Sequence, residues 1–281
     1  MKTRLLLLMI TISLALSMRA QLNDHDTLCP ARLMVTYEHT YREDTNHIDR
    51  AGKEKMLLLI GDETSCFQSY NGRRSFLKLR KMMLDGTWET YISQPIYVKP
   101  EDIVHFLYKI YKNYPSGKTT TFDHVFMTGV FQYEEDNPCM SWEYTEDTAA
   151  ISGYFTQKAT CNFGGRTWEA WFAPELPYND GPYKFSGLPG LIVRVADTQD
   201  HYRFEMLSIE ALAEETIIFL KNDAMKTTKK AFFKAYDDNL ANIIENAMPN
   251  IKSANGNDYD TQRKLYNYAN SKNNPIELDR R

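Results

Sequence analysis

Residues 180–193 read DGPYKFSGLPGLIV, and this stretch gives the clearest prediction of how the chain folds. A Gly-Pro pair at 181–182 and a Pro-Gly pair at 189–190 flag turns, and an apolar run begins at Leu191. We expect Pro189 and Gly190 at the centre of a type II turn, because Pro presets φ and Gly accepts positive φ. No residue from 187 to 192 is nucleophilic, acidic or metal-binding, so we interpret the motif as architectural, with contact between its backbone and a ligand as the alternative.

Alternation of apolar and polar residues predicts strands through most of the chain. The clearest case is 201–210, where Tyr202, Phe204 and Met206 alternate with polar residues. Such closely spaced strands predict a mainly β fold: a strongly curved antiparallel sheet or incomplete barrel. Further strands are expected at 33–41, 54–60, 65–70, 122–133, 140–146, 153–163, 166–173, 190–197 and 216–221.

Three helices are predicted between or after these strands. Two short ones, at 74–84 and 101–113, form an insertion at about 72–114, and a C-terminal amphipathic helix covers about 228–247. The domain boundaries that follow are a signal peptide at 1–20, a single curved β domain at 21–248, and a polar loop and tail at 249–281.

Several segments resemble the GLPGLI family of small exported bacterial proteins. The signature itself is spelled by 187–192, and Gly153-Tyr154, Gly181-Pro182 and the closing NPIEL at 274–278 also stand in family order. The resemblance implies export and a β architecture, and it implies no reaction. The structural residues it singles out are Gly153, Tyr154, Gly181, Pro182, Gly187, Leu188, Pro189, Gly190, Leu191 and Ile192.

The N-terminus predicts export to the periplasm or envelope. Basic residues at 2 and 4 precede an apolar run from Leu5 to about Leu16, which is typical of a signal peptide and too short for a membrane span. Cleavage near Ala20 would remove three basic side chains and leave 30 basic and 37 acidic ones, a formal charge of −7. That charge argues against nucleic acid as a partner.

A cluster of basic side chains at 73–81 allows peripheral contact with anionic lipid. Since the apolar stripe beside it is short, a solvated helix face is the favoured interpretation. No transmembrane span is predicted after the signal.

Four cysteines remain after cleavage, which in an oxidising compartment favours two disulfides out of three pairings. A hairpin centred at about 150 would set Cys139 opposite Cys161, and this leaves Cys29 to pair with Cys66. Free buried thiols are the alternative.

The segment 166–172, RTWEAWF, carries an indole on each face of its predicted strand. We consider a contact surface for an apolar ligand or an envelope protein. The alternative is a cover made by the third helix or a long loop. The candidate contact residues are Arg166, Trp168, Glu169, Trp171 and Lys184.

No local motif predicts catalysis, a cofactor or a metal. His39, Glu43 and His47 are four residues apart, but on a strand and loop that spacing does not bring them together. We therefore expect an exported ligand-binding, protein-binding or scaffold protein without a cofactor. The alternative is a periplasmic hydrolase whose site is assembled from distant His and acidic residues.

Overall fold

The computed structural model describes residues 25–87, 102–137, 140–220, 224–245 and 258–280. The predicted signal peptide at 1–20 and Cys139 lie outside these ranges. Within them, no helix is long and apolar enough to cross a membrane.

The described residues form a mainly β fold, as predicted. Its strands are β1 (His25–Tyr41), β2 (Gly52–Gly61), β3 (Ser65–Ser69), β4 (Lys109–Lys112), β5 (Lys118–Val125), β6 (Gly129–Asp136), β7 (Glu143–Ile151), β8 (Tyr154–Phe163), β9 (Arg166–Ala173), β10 (Leu191–Asp197), β11 (Tyr202–Leu220) and β12 (Met225–Lys226).

All of these strands belong to one large sheet that does not close into a barrel. The spatial order is β12-β6-β5-β4-β3-β2-β1-β11-β10-β9-β8-β7. The paired strands are antiparallel except β12 and β6, which run parallel, so the sheet is mixed rather than wholly antiparallel as predicted.

A few short helices accompany the sheet: α1 (Tyr70–Leu84), α2 (Lys229–Ala241), α3 (Asp258–Asn270) and a 3₁₀ turn at Thr45–His47. The first two begin at capping side chains. The Ser69 hydroxyl accepts from the backbone N–H of Gly72, and the Thr228 hydroxyl accepts from that of Ala231.

β2 lies near the middle of the sheet and is buried on both faces. Met56, Leu58 and Ile60 belong to one hydrophobic cluster, and Leu57 and Leu59 belong to a second cluster on the other face. Burial on both faces accounts for the unbroken apolar run at 56–60, because neither face has to be polar.

The helix predicted at 101–113 is wrong. Lys109–Lys112 forms β4, and Ile110 and Tyr111 are buried in different clusters on opposite faces of the sheet. Pairing with β3 and β5 satisfies the backbone there, while Ile103 and Leu107 of the predicted helical stripe are exposed. Tertiary burial on two faces outweighs a helical pattern of this length.

The polar loop and tail predicted at 249–281 also needs correction. Asp258–Asn270 forms α3, and after it the side chains of Asn274 and Glu277 are buried. The packing of this region could not be predicted from its polar sequence, because the buried groups named here are an amide and a carboxylate rather than apolar side chains.

The signature turn at 187–192 is tighter than predicted. The N–H of Gly190 donates to the carbonyl of Leu188 at 2.8 Å. In a type II turn the N–H of Leu191 would donate to that carbonyl, but it donates instead to the carbonyl of Leu176 at 2.9 Å. The turn is therefore centred on Pro189 alone, and the type II assignment is wrong. Gly190 is needed for close packing, since a Cβ there would lie 2.3 Å from the carbonyl oxygen of Ala173.

A buried lysine on β4 holds the front of the same segment. Lys112 forms an ion pair with Asp180 and donates to the carbonyls of Gly181 (2.5 Å) and Phe185 (3.2 Å). The segment is thus fixed to the middle of the sheet at one end and to β9 at the other.

The predicted Cys29–Cys66 disulfide is wrong. All three cysteines within the described ranges are free thiols. β2 lies between β1, which carries Cys29, and β3, which carries Cys66. Two strand spacings of about 4.8 Å each exceed the roughly 4.4–6.8 Å between Cα atoms that a disulfide spans.

The hairpin that motivated the second disulfide has a different register. β7 and β8 turn between Ile151 and Tyr154, and their last pair joins Glu143 to Thr160. Continuing that register sets Cys161 opposite residue 142, not 139. Burial raises the pKa of the Cys161 thiol to about 12 and that of Cys66 to about 11, so both stay protonated at neutral pH.

The close approach at Gly190 gives a test of the turn. We expect Gly190→Ala to lower the free energy of unfolding by about 2–4 kcal/mol, because overpacking against rigid backbone is added to conformational strain. The matched control is Gly117→Ala, where φ is +77° and no atom lies within 4 Å of the new Cβ. It should cost only about 1–2 kcal/mol. Urea denaturation of both variants measures the difference, and equal losses would contradict the packing argument.

Candidate functional site

A cavity of about 130 Å³ lies over one face of β5 and β6. Its walls come from the segment at 102–108, from helices α2 and α3, and from the tail that follows α3. Tyrosines dominate the lining, and we call the site the tyrosine cavity: Tyr108, Tyr133, Tyr183, Tyr202, Tyr236 and Tyr268.

The strand register builds the floor of the tyrosine cavity. Thr121 and Asp123 are two residues apart on β5 and so share a face. Tyr133 on β6 pairs with Thr121, and Tyr108, one residue before β4, continues the β4–β5 register to the position opposite Asp123. All four line the cavity.

Two hydroxyls in this floor have no hydrogen-bond partner among the described residues: Tyr108 Oη and Thr121 Oγ1. Both side chains are buried, with 6% and 2% of their surface exposed. A buried polar group without a partner costs about 1–3 kcal/mol, so native structures rarely retain one without a reason.

Asp123 is the third polar group of the floor. It accepts the N–H of His124 at 2.7 Å, and no described basic side chain lies within ion-pairing distance of it. Burial raises the pKa of this carboxyl to about 7, which the hydrogen bond and the more distant Lys184 only partly offset. Near neutral pH Asp123 is therefore about half ionised, and its ionised form has no close described counter-ion.

A charged triad stands at the mouth of the cavity. Glu43 Oε2 is 2.5 Å from His105 Nε2 and 2.5 Å from Lys272 Nζ. Burial would raise the pKa of Glu43, but the hydrogen bond from His105 and the charge of Lys272 together lower it. The Glu43 carboxylate is thus held ionised beside a histidine.

Glu54 of β2 positions this histidine. Its Oε2 accepts the backbone N–H groups of His105 (3.1 Å) and Phe106 (3.0 Å), which fixes a segment that has no helix or strand of its own. The His105 ring also stacks on Tyr41, with centroids 4.8 Å apart. About a third of the His105 side chain remains exposed.

A buried ionic cluster lies behind the cavity. Lys184 is fully buried and pairs with Glu135 and, at 2.7 Å, with Glu277. Lys229 joins the same two carboxylates at 2.8 and 2.5 Å, and Tyr183 Oη donates to Glu277 at 2.5 Å. Burial would raise the pKa of Glu277, but the two ammonium groups outweigh it and hold that pKa at about 2.

Arg166 anchors the tail that closes the cavity. Its guanidinium pairs with Asp197 at 2.9 Å and donates to the carbonyls of Pro275 (2.7 Å) and Ile276 (3.0 Å). It also donates to the side chain of Asn274 at 2.6 Å. All of these contacts lie inside the protein, so Arg166 serves the fold.

The five contact residues predicted from 166–172 and Lys184 do not form one surface. Trp168 is fully buried and donates to the carbonyl of Phe163 at 2.9 Å, and Arg166 and Lys184 are buried in the networks above. Only Glu169 and Trp171 reach the surface. Both are engaged by Lys158, which pairs with Glu169 at 3.0 Å and lies 5.9 Å from the Trp171 ring centre.

The histidines with helical spacing also separate. His39 is fully buried and stacks on Phe204, with ring centroids 4.1 Å apart, and burial lowers its pKa to about 3. His47 is exposed and contacts Asp44, while Glu43 stands at the cavity mouth. Among the described residues, no group of three or more His, Cys, Asp or Glu side chains could hold a metal.

Sequence reasoning missed the tyrosine cavity because its lining comes from widely separated segments. One local signal was present: in the strand segment KTTTFDHV at 118–125, alternation places Thr121 and Asp123 on the same face as a run of buried residues. A carboxylate at such a position points to a functional or structural role.

Comparisons with known proteins describe the fold and leave the chemistry open. A family described as "Protein of unknown function (Porph_ging)" matches residues 164–194. That stretch contains β9, the signature turn, the first four residues of β10 and the cavity-lining Tyr183. No curated protein matches the chain.

Two solved structures are similar to this one. PNGF-II in the P21 space group has a TM-score of 0.50 and 11% identity, over 73% of this chain and 33% of that chain. PNGF-II in the C2 space group gives 0.47 and 13%, over 74% and 32%. This chain spans about a third of the length of those proteins. At such identity the likeness in the P21 form describes a shared fold alone.

The buried cluster predicts acid sensitivity. The pKa of Glu277 is lower in the folded protein than its ordinary value of 4.5, so its contribution is complete above pH 4.5 and is lost as pH falls toward about 2. We expect Glu277→Gln to remove that part of the pH dependence and to destabilise the protein at pH 7 by about 3–5 kcal/mol.

Urea denaturation across this pH range measures both effects. The control is Asp136→Asn, which breaks the exposed Lys118–Asp136 pair and should leave stability unchanged. A Glu277→Gln variant as stable as the control, with unaltered acid unfolding, would contradict this account of the cluster.

Proposed function

We propose that this protein is an exported, envelope-associated binding protein that holds a small ligand in the tyrosine cavity. The observation that supports this most directly is the pair of buried hydroxyls, Tyr108 Oη and Thr121 Oγ1, which belong to residues that line the cavity and have no described partner. A volume of about 130 Å³ is close to that of a protein cavity of about 150 Å³ that holds one benzene molecule. The cavity therefore suits a ligand of a few non-hydrogen atoms, or one end of a larger molecule.

The cellular location and the GLPGLI assignment are part of the proposal. The signature at 187–192 lies inside the stretch matched by the family of unknown function, and the pattern of residues 1–20 is typical of a cleaved signal. Together these features support a periplasmic or envelope location after cleavage near Ala20.

We also propose that the sheet is strongly curved around the ligand side. The pairing of β1 with β11 contains three register shifts. Irregularities of this kind bend strands and increase local twist. They support the concave face expected from the sequence, with the ligand now assigned to the tyrosine cavity and not to Trp168.

A cavity-filling substitution tests binding. Thr121→Met would extend a flexible side chain into the cavity and displace any occupant. We expect small water-soluble fragments that bind the wild type, detected by ligand-observed NMR, to lose binding to this variant. Lys118→Met, on the same strand and exposed, adds the same side chain outside the cavity and should keep binding. Fragments that bind all three proteins equally would refute the cavity as the binding site.

A hydrolase is the second candidate function, and the contact between His105 and Glu43 favours it. A carboxylate 2.5 Å from one imidazole nitrogen orients the ring and leaves the other nitrogen to act as a general base toward water. The partial exposure of His105 beside a cavity fits that role.

The hydrolase proposal has a matched control within the chain. His47 also contacts a carboxylate, Asp44, at 2.8 Å, but it does not line the cavity. If the protein hydrolyses p-nitrophenyl acetate, we expect His105→Asn to reduce turnover by about 10²–10⁴-fold and His47→Asn to leave it unchanged. Absence of turnover in the wild type, or equal effects of both substitutions, would exclude this role for His105.

A further inference from the structure

The floor of the tyrosine cavity carries three side chains with oxygen acceptors, and aromatic side chains line the cavity around them. Tyr108 Oη and Thr121 Oγ1 have no described hydrogen-bond partner, and Asp123 has no described counter-ion within ion-pairing distance. Two buried hydroxyls without a described partner and a carboxylate without a described counter-ion, all lining one space, are unusual, because buried polar groups normally find partners within the fold.

The sheet register brings these groups together. The residue opposite Asp123 is Tyr108, and Thr121 lies two residues from Asp123 on the same face of β5. Directly opposed residues have Cβ atoms about 4.5–5.5 Å apart, so the three side chains extend from neighbouring positions on one face of the sheet.

The basic side chains that line the cavity are already committed. Lys272 is paired with Glu43 at 2.5 Å. Arg280 is paired with Asp237 at 3.0 Å and donates to the carbonyl of Glu277. The charge that remains for a ligand to neutralise is that of the ionised form of Asp123, which favours a cation and repels a carboxylate.

A primary ammonium group matches this arrangement. It carries three N–H donors and no acceptor, as a lysine side chain does, and the floor offers three acceptors. The rings of Tyr133 and Tyr183 supply aromatic faces for the carbon chain and for attraction between the cation and the π-electrons. An alcohol of the same size offers one donor and no charge.

We propose that the tyrosine cavity binds a small primary ammonium compound, with its nitrogen held by Asp123, Tyr108 and Thr121. This rests on the proposed binding function and specifies the class of ligand.

Three small probes, each with three carbon atoms, test the class: propylammonium, 1-propanol and propionate, each titrated into the protein by ligand-observed NMR. Because hydrogen bonds to charged groups are the stronger ones, propylammonium should bind about tenfold or more tightly than 1-propanol. Propionate should not bind. Equal affinities of the three probes, or preference for propionate, would overturn the proposal.

Variants then assign the contacts. Asp123→Asn keeps the shape and removes the charge, so it should weaken propylammonium binding about tenfold or more and leave 1-propanol unchanged. Tyr108→Phe should weaken propylammonium binding by about threefold, the loss of one hydrogen bond. Glu134→Gln, on the exposed side of β6, should change neither. Melting curves verify folding, and if Asp123→Asn does not fold, Tyr108→Phe decides.

Different results would contradict the proposed binding site and the proposed class of ligand. If Thr121→Met abolishes binding of every probe but Asp123→Asn affects none, the cavity is the binding site and the ammonium class is wrong. If Thr121→Met affects no probe, both proposals fall.

Discussion

Neutralisation of one buried ammonium group is the constraint on which the rest of the structure depends. Lys184 has no exposed surface, so its charge must be balanced inside the protein by Glu135 and Glu277. An uncompensated charge at this depth would be severely destabilising. The signature segment, the sheet and the tail must therefore meet at one point, and the tyrosine cavity lies beside that point, sharing Tyr133 and Tyr183 with it.

The arrangement separates stability from recognition. Lys112, Lys184 and Arg166 each have internal carboxylate partners, and they fix the loop and the tail against the sheet. Asp123 differs from these groups, because it lies close to their network but forms no ion pair with a described residue. A rigid framework around a cavity floor whose polar groups lack partners favours ligand binding without a large conformational change. The groups that would contact a ligand are already held in place before it binds.

The fold class could be predicted from sequence because alternation in segments such as 201–210 reports directly on a half-buried sheet. The prediction of a helix at 101–113 was wrong because β4 is covered on both faces. Burial on both faces produces no alternation of apolar and polar residues in the sequence. The positions of the candidate contact residues could not be predicted for another reason. Arg166 and Lys184 have the composition of a polar rim, but partners from distant segments draw them inside. The packing of α2, α3 and the tail around β5 and β6, which brings the walls of the cavity together, is not encoded in any local pattern.

The position of the tail has a consequence for how the molecule assembles. Asn274 bonds through its N–H to the carbonyl of Glu43 and through its side chain to that of Arg42, joining residues more than 200 positions apart in sequence. Contacts of such long range form late and slow the search for the native state. During synthesis, the residues directly after β1 must therefore wait until a segment more than 200 residues further along the chain has emerged before these contacts can form. Until then, a chaperone would encounter an open and incompletely folded chain.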